Sequence, residues 1–143
     1  MKPLNGIKVI DLTHMLAGPY AGMVMADLGA EVVKVEPLIT GEMTRGLLKT
    51  DPNYSFKEFG AYFLTLNRNK KSVSLDLKSE EGLEVFYNLV KSADVVLNNF
   101  SAGVVKKLKI DFESLKLVNP KICLLYTSPS PRDATLSRMP SSA

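Results

Sequence analysis

Residues 7–36, which read IKVIDLTHMLAGPYAGMVMADLGAEVVKVE, contain the pattern that decides the fold. A β-branched run opens this stretch and a second one, at residues 31–36, closes it, and each run is typical of a buried strand. Pro19 suits the first turn of a helix between them, and Gly29 is its expected stop. Apolar residues that predict one face of this helix are Ala17, Tyr20, Ala21, Val24, Met25 and Leu28. The stretch therefore predicts a right-handed parallel βαβ unit.

The loop between the first strand and the helix, residues 13–19 (THMLAGP), is a candidate binding site. In a parallel βαβ unit the end of the first strand and the start of the helix face one crevice. Unpaired N–H groups and the helix dipole favour an anion there, such as a phosphate. The dinucleotide fingerprint GxGxxG is absent, since the only glycines in the loop and early helix are Gly18 and Gly22. An ordinary NAD or FAD site is disfavoured, while a purely structural crossover stays open.

Several motifs in residues 1–122 occur in the order found in one enzyme family. DLTHMLAGPYAGMVMADLGAEVVKVE is followed by GEMTRG, YFLTLNRNKKSVSLDLKSEEG, ADVVLNNFSAGVVKKL and LVNPKI. This series resembles the N-terminal part of the class III (CaiB/BaiF-type) CoA-transferases, the family that also contains α-methylacyl-CoA racemase. The resemblance implies an α/β fold with a Rossmann-like parallel sheet and flanking helices. It also implies that the chain is the incomplete N-terminal part of a larger, interlocked homodimer.

The resemblance also implies a reaction, the transfer of CoA from an acyl-CoA donor to a carboxylate acceptor. Coenzyme A and acyl-CoA are then substrates, and no covalently bound cofactor is expected. Such enzymes are understood to use an aspartate as nucleophile, through a mixed anhydride and an aspartyl-CoA thioester. In the family that aspartate lies beyond the NPKI segment, so we assign no catalytic residue and expect the chain alone to be inactive. The alternatives are a racemase of the same family and, more distantly, a nicotinamide oxidoreductase or a non-catalytic βαβ module.

The candidate CoA-binding residues lie in three segments at predicted turns or strand ends. The crevice loop is one, and the basic stretch at residues 67–71 is another, because its cations and amides suit a phosphate-rich ligand. The third follows the predicted fourth strand, where an asparagine and an aromatic residue precede a lysine that replaces a family arginine. The residues are His14, Met15, Leu16, Ala17, Asn67, Arg68, Asn69, Lys70, Lys71, Asn99, Phe100 and Lys107. Judged without the resemblance, residues 67–71 are better explained as a solvated turn before a strand, and a turn explains Asn99 and Phe100 equally well.

Two single residues bear on this site. His14 is the only histidine, and without an identifiable carboxylate or serine partner we interpret it as structural or ligand-shaping rather than as a proton carrier. Pro37 stands where many relatives have an arginine that packs on the CoA nucleotide, so one contact is lost or supplied from elsewhere. Arg45, in GEMTRG, is either surface decoration or, by resemblance, near the mouth of the active site.

The remaining elements follow from periodicity and caps. Residues 40–69 lack a clean period and predict a surface excursion with short helical pieces. Val73, Leu75 and Leu77 predict a third strand, and a helix follows the N-cap Ser79. A fourth strand is predicted at residues 94–97, and short helices at 104–108 and 112–118.

Composition excludes several classes of protein. The chain has 45% hydrophobic and 23% charged residues, which is ordinary for a globular protein. It contains no run long and apolar enough for a membrane span, and no signal-peptide pattern, so a cytoplasmic enzyme is expected. A net charge of +3 with scattered lysines does not indicate a nucleic-acid partner. The single cysteine excludes an internal disulfide and a cysteine-rich metal cluster.

The composition changes after Ile122. Residues 123–143 (CLLYTSPSPRDATLSRMPSSA) contain five serines and three prolines and show no hydrophobic period, which predicts disorder. Reverse translation of CLLYTSPSPRD gives a string that resembles a transposase-type sequencing adapter. We therefore predict two parts, a Rossmann-like CoA-binding part at residues 1–122 and a non-native, disordered tail at 123–143.

Overall fold

A computed structural model of the protein describes residues 1–126. The elements in chain order are β1 (Lys8–Asp11), α1 (Ala17–Asp27), β2 (Glu31–Glu36), a 3-10 turn (Met43–Arg45), β3 (Ser55–Phe56), β4 (Phe59–Gly60), α2 (Ala61–Leu66), β5 (Lys70–Ser74), α3 (Glu80–Val90), β6 (Val95–Asn98), α4 (Ala102–Lys107), α5 (Phe112–Val118) and β7 (Cys123–Tyr126). None of these helices has the length and apolarity needed to cross a bilayer.

Within residues 1–126, five strands form one parallel sheet in the order β5-β2-β1-β6-β7. Strand β1 lies at its centre, where it pairs with β2 on one side and β6 on the other and buries Val9 on one face and Ile10 on the other. The sheet confirms the predicted α/β fold with a Rossmann-like parallel sheet. The predicted excursion holds the 3-10 turn, an antiparallel β3–β4 hairpin and the short helix α2.

Helices cover both faces of the sheet and create two cores. The larger core lies under α3, α4 and α5, where Phe86, Val105 and Leu115 pack on Ile10 and Val96 of the sheet. The smaller core lies under α1. Its buried members are Val9, Ala26, Ala30, Val32 and Leu97.

The predicted apolar face of α1 is wrong in part. Ala21 and Met25 are partly buried against the smaller core, as predicted. Tyr20 and Leu28 are exposed, and the buried positions are Gly18, Pro19, Gly22, Met23 and Ala26. The reason lies on the sheet below, where charged side chains replace the expected apolar ones. A Cβ atom on Gly22 would lie 2.8 Å from a carboxylate oxygen of Asp11, so only a small residue lets the helix approach this closely. The helix therefore turns the small residues Gly22 and Ala26 toward the sheet.

The predicted third strand at residues 73–77 is displaced. Strand β5 begins at Lys70 and ends at Ser74, and it pairs with β2 in a register that places Lys70 opposite Val32. Lysines at the start of the run conceal the strand, because an alternation of apolar and polar residues does not anticipate a buried lysine. The true bounds place residues 75–78 beyond the carboxyl end of the strand.

The predicted tail begins too early. Cys123–Tyr126 form β7, which pairs in parallel with β6, so the prediction of disorder is wrong for these four residues. The apolar run CLLY can occupy the open edge of β6 whatever its origin, because strand pairing needs only backbone groups and an apolar side. The rest of the predicted tail, residues 127–143, lies outside the described residues.

Candidate functional site

A crevice opens at the carboxyl ends of β1 and β6, where the chain leaves two neighbouring strands in opposite directions. After β1 it turns into α1 on one face of the sheet, and after β6 it turns into α4 on the other. Such a switch point is the usual ligand site of an open parallel sheet. The structure joins the two loops here. The Asn99 side chain accepts a hydrogen bond from the His14 amide (3.0 Å) and donates one to the His14 carbonyl oxygen (2.8 Å).

A cleft of about 420 Å³ adjoins this junction and lies at the ends of β1, β2 and β5. Its volume falls in the range of small-molecule sites. The His14 and Phe100 rings, whose centroids are 5.6 Å apart, form one wall. Apolar groups dominate the rest of the lining, with Lys78 as its cation and Glu36 and Asp76 as its carboxylates. Further lining residues are Leu12, Val35, Pro37, Leu38, Leu75, Leu77, Val104 and Leu108.

Residues 75–78 (LDLK) are lining residues that sequence reasoning missed. The predicted third strand includes residues 75–77, although residues 75–78 form the turn between β5 and α3. The Asp76 side chain accepts a hydrogen bond from the Lys78 amide (2.9 Å), and Ser79 caps α3 by accepting from the Gly82 amide (3.0 Å). The cap at Ser79 was visible in the sequence. Counting back from it would have placed a turn, rather than a strand, at these residues.

The basic stretch at residues 67–71 lies at the opposite, amino end of the sheet. Arg68 and Asn69 bind Asp27 at the end of α1, and their hydrogen bonds lower the pKa of that carboxyl group. Lys71 forms an exposed ion pair with Glu31, at 2.7 Å, and lowers its pKa. The structure therefore does not bring these cations to the cleft.

Lys70 and Asn67 form a separate, buried pair beneath α1. The Lys70 Nζ atom donates to Asp11 Oδ2 (2.8 Å), the Pro19 carbonyl oxygen (2.8 Å) and Asn67 Oδ1 (2.9 Å). All three of its donor hydrogens are thus used inside the protein, and neither residue lines the cleft.

The other predicted site residues surround the crevice. Met15, Leu16 and Ala17 are exposed at the start of α1, and Met15 has a left-handed backbone (φ 71°). Within residues 1–126, no side chain caps the N-terminus of α1, which begins where the crevice loop ends. Lys107 is exposed in the last turn of α4, next to the cleft residue Leu108.

Comparison with known proteins identifies the family. The sequence model of CoA-transferase family III matches residues 4–137. The chain belongs to this family. The match confirms the family resemblance that the motifs show. The matched region extends beyond Ile122. The origin of residues 123–143 stays a prediction, which the uninterrupted gene would decide.

Proteins named as CoA-transferases are similar over most of this chain. Formyl-CoA:oxalate CoA-transferase of Afipia carboxidovorans is 41% identical over 121 residues, which are 85% of this chain and 28% of that protein. Succinate–glutarate CoA-transferase of Agrobacterium fabrum is 43% identical over 131 residues, or 88% and 32%. A crystal structure of a CaiB/BaiF family protein from Brucella suis matches with a TM-score of 0.78 and 41% identity, over 86% of this chain and 32% of that one. The chain spans about a third or less of the length of these relatives.

A buried ion-pair network lies between the sheet and the crevice loop. The sequence analysis does not predict it. Asp11 is fully buried and accepts hydrogen bonds from the Thr13 amide and hydroxyl group. Besides its pair with Lys70, Asp11 Oδ2 lies 3.8 Å from Lys34 Nζ, which donates to the Thr13 carbonyl oxygen at 2.7 Å. Burial lowers the pKa of Lys70, while Asp11 opposes that shift. The network fixes the first residue of the crevice loop to β1, β2 and β5.

A second ion pair, between Arg45 and Glu36, anchors the GEMTRG segment to the sheet. Arg45 donates to both carboxylate oxygens of Glu36 (2.6 and 2.7 Å), and its guanidinium lies 3.9 Å from the centroid of the Phe63 ring. Burial raises the pKa of Glu36, but hydrogen bonds from Arg45, Ser72 and the Glu42 amide outweigh it and lower the pKa to about 2. Arg45 is therefore a partly buried ion-pair partner rather than surface decoration.

His14 has its own electrostatic environment. Burial and the nearby Lys34 lower its pKa, and the Glu42, Asp11 and Glu36 carboxylates oppose that shift. A lowered pKa keeps the imidazole neutral near pH 7, which suits a group that shapes a ligand site.

Proposed function

We propose that the chain is the N-terminal, CoA-binding part of a CoA-transferase, which moves CoA from an acyl-CoA donor to a carboxylate acceptor through an aspartyl intermediate. The observation that carries the proposal is the cleft at the switch point of the sheet in a member of family III. The relatives named above are transferases, which favours this reaction over that of a racemase. The resemblance also supports a cytoplasmic homodimer as the working assembly.

The chemistry of the cleft suits the parts of CoA. Its apolar lining suits the pantetheine arm, and the His14 and Phe100 rings offer flat surfaces for the adenine. Lys78 and the open N-terminus of α1 supply positive charge for phosphates. Residues 67–71 are not part of this proposed site, because Arg68 and Lys71 are paired at the other end of the sheet and Lys70 is buried in its pair with Asp11 beneath the crevice loop.

Asp11 and Asp76 do not suit a nucleophilic role. Asp11 is buried and already accepts hydrogen bonds from Thr13 and Lys70, so it has no access to a thioester. Asp76 lines the cleft but is exposed, and a hydrated carboxylate is a weak nucleophile. In this proposal the described residues bind and orient CoA, and the nucleophilic aspartate comes from the rest of the protein.

The test is CoA binding by the product of the uninterrupted gene, measured by calorimetry. We expect Lys78→Ala to raise the dissociation constant of CoA about tenfold or more, because a charge-assisted phosphate contact contributes about 1.5–3 kcal/mol. The matched control is the double variant Arg68→Ala/Lys71→Ala, which removes two cations at the other end of the sheet. Unchanged affinity in Lys78→Ala, with a large loss in the double variant, would move the site to residues 67–71.

A further inference from the structure

We propose that Glu42 is a positioning residue for CoA, acting through the crevice loop rather than by contact with the ligand. This inference rests on the proposed function, because it concerns the same cleft. Glu42 lies in the GEMTRG segment, 27 residues from the loop that it holds. Nothing in the sequence connects the two segments, and only the fold brings them together.

The Glu42 carboxylate is fully buried beneath the crevice loop. Its Oε1 atom accepts a hydrogen bond from the Met15 amide at 2.9 Å. The same oxygen lies 3.8 Å from His14 Nδ1, on the ring that forms one wall of the cleft. One carboxylate oxygen thus faces two consecutive residues of the loop.

The other carboxylate oxygen of Glu42 is bound to its own turn, and the Glu42 amide is bound to the sheet. Its Oε2 atom accepts hydrogen bonds from the Thr44 amide, at 3.0 Å, and from the Thr44 hydroxyl group. The Glu42 amide donates to Glu36 Oε2 at 2.8 Å, and Glu36 is held by Arg45 and Ser72. A continuous series of charged hydrogen bonds therefore runs from β2 and β5 to the loop.

Met15 needs such a fixed partner. Its left-handed backbone is unfavourable for a residue with a side chain, and its side chain is 44% exposed, so burial does not hold it in place. The hydrogen bond from its amide to Glu42 stabilises this conformation. Without that bond the backbone at Met15 would relax, and the His14 ring would move relative to Phe100 across the cleft, although Asn99 still holds the His14 main chain.

Two substitutions of Glu42 and one of Thr44 separate positioning from folding. Glu42→Ala removes both acceptors. Glu42→Gln keeps the size, but its amide group must place an N–H donor against the Met15 or the Thr44 amide, because both oxygens accept in the native protein. Thr44→Val is the matched control, since it removes a contact of Glu42 on the side away from the loop.

The experiment uses the product of the uninterrupted gene, with calorimetric binding of CoA, steady-state kinetics with an acyl-CoA donor, and thermal melts. We expect Glu42→Ala to weaken CoA binding about tenfold or more and to raise KM for the donor more than it lowers kcat. Glu42→Gln should give a smaller loss, and Thr44→Val should stay within about twofold of the native affinity. A merely structural role would lower kcat through the folded fraction and leave KM unchanged.

Each alternative result has a distinct meaning. If the native protein does not bind CoA, the proposed function fails. If the native protein binds CoA and Glu42→Ala binds it equally well, the positioning role of Glu42 fails. The role also fails if Thr44→Val matches the loss in Glu42→Ala, because Glu42 would then act only as the cap of its own turn. If Glu42→Ala does not fold, Glu42→Gln decides, and native KM in that variant overturns the inference.

Discussion

Replacing Lys70 by methionine tests the buried ion pair beneath the crevice loop. The Lys70 side chain is 1% exposed, and its ammonium group holds Asp11, the Pro19 carbonyl oxygen and the Asn67 amide oxygen together. Methionine keeps an unbranched apolar stem but carries no donor. The variant therefore leaves the volume nearly filled and removes three hydrogen bonds at once.

The expected loss of stability follows from the partners left behind. Removing one member of a buried ion pair costs about 3–5 kcal/mol, because the other charge stays buried without compensation. Asp11 would keep Lys34, at 3.8 Å, and the two hydrogen bonds from Thr13, so we expect the lower end, about 3 kcal/mol. A domain of this size is stable by only about 5–15 kcal/mol in total, so the loss is large.

The next residue provides the control. Lys71 lies in the same strand but forms an exposed pair with Glu31, whose side chains are 71% and 45% exposed. Exposed pairs contribute at most about 1 kcal/mol, so Lys71→Met should change stability by less than that. Urea unfolding of the purified 143-residue chain and of both variants measures the difference as a shift in midpoint. Equal shifts in the two variants would refute the argument that burial makes the Lys70 pair important.

Two further predictions concern the same face of the sheet. Because the pKa of Glu36 is lowered to about 2 from 4.5, its contribution to the free energy of unfolding is complete above pH 4.5 and is lost as the pH falls toward 2. Urea unfolding should show that Glu36 accounts for a loss of roughly 3 kcal/mol over this range, and the loss should be smaller in Arg45→Met. Gly22→Ala should lower the melting temperature despite the higher helix propensity of alanine, because its Cβ meets the Asp11 carboxylate, whereas Gly103→Ala, with open space around it, should be neutral or stabilising.

Periodicity predicted the fold where apolar residues alone face the core. The βαβ unit, the helix after Ser79 and the strand before Asn99 all follow such patterns, and the structure contains each of them. The pattern misled us where the sheet buries charge. Lys70 hid the start of β5, and the Asp11–Lys70 pair turned the glycines of α1 inward. A residue-by-residue hydropathy argument treats a lysine as exposed, so it cannot anticipate a cation whose partner is about sixty positions away.

The candidate site could be predicted only where its residues follow strands that periodicity predicts. His14, Asn99 and Phe100 follow strands that the sequence predicts, and the topology of a parallel sheet brings strand ends together. The lining at residues 75–78 was missed, since its position depends on where β5 ends. Glu42 was invisible to this reasoning because its role depends on contacts between segments.

The central position of β1 has a consequence for the order in which the protein is made. The ribosome releases β1 before β2, which follows within thirty residues, and before β6. The pairing of β6 with the other edge of β1 begins at the contact between Lys8 and Asp94, which are 86 residues apart. At a synthesis rate of about 5–20 residues per second, that edge waits roughly 4 to 17 s for β6. During this time the nascent chain presents a short apolar strand with free backbone groups, which is the kind of surface that chaperones cover and that aggregates recruit.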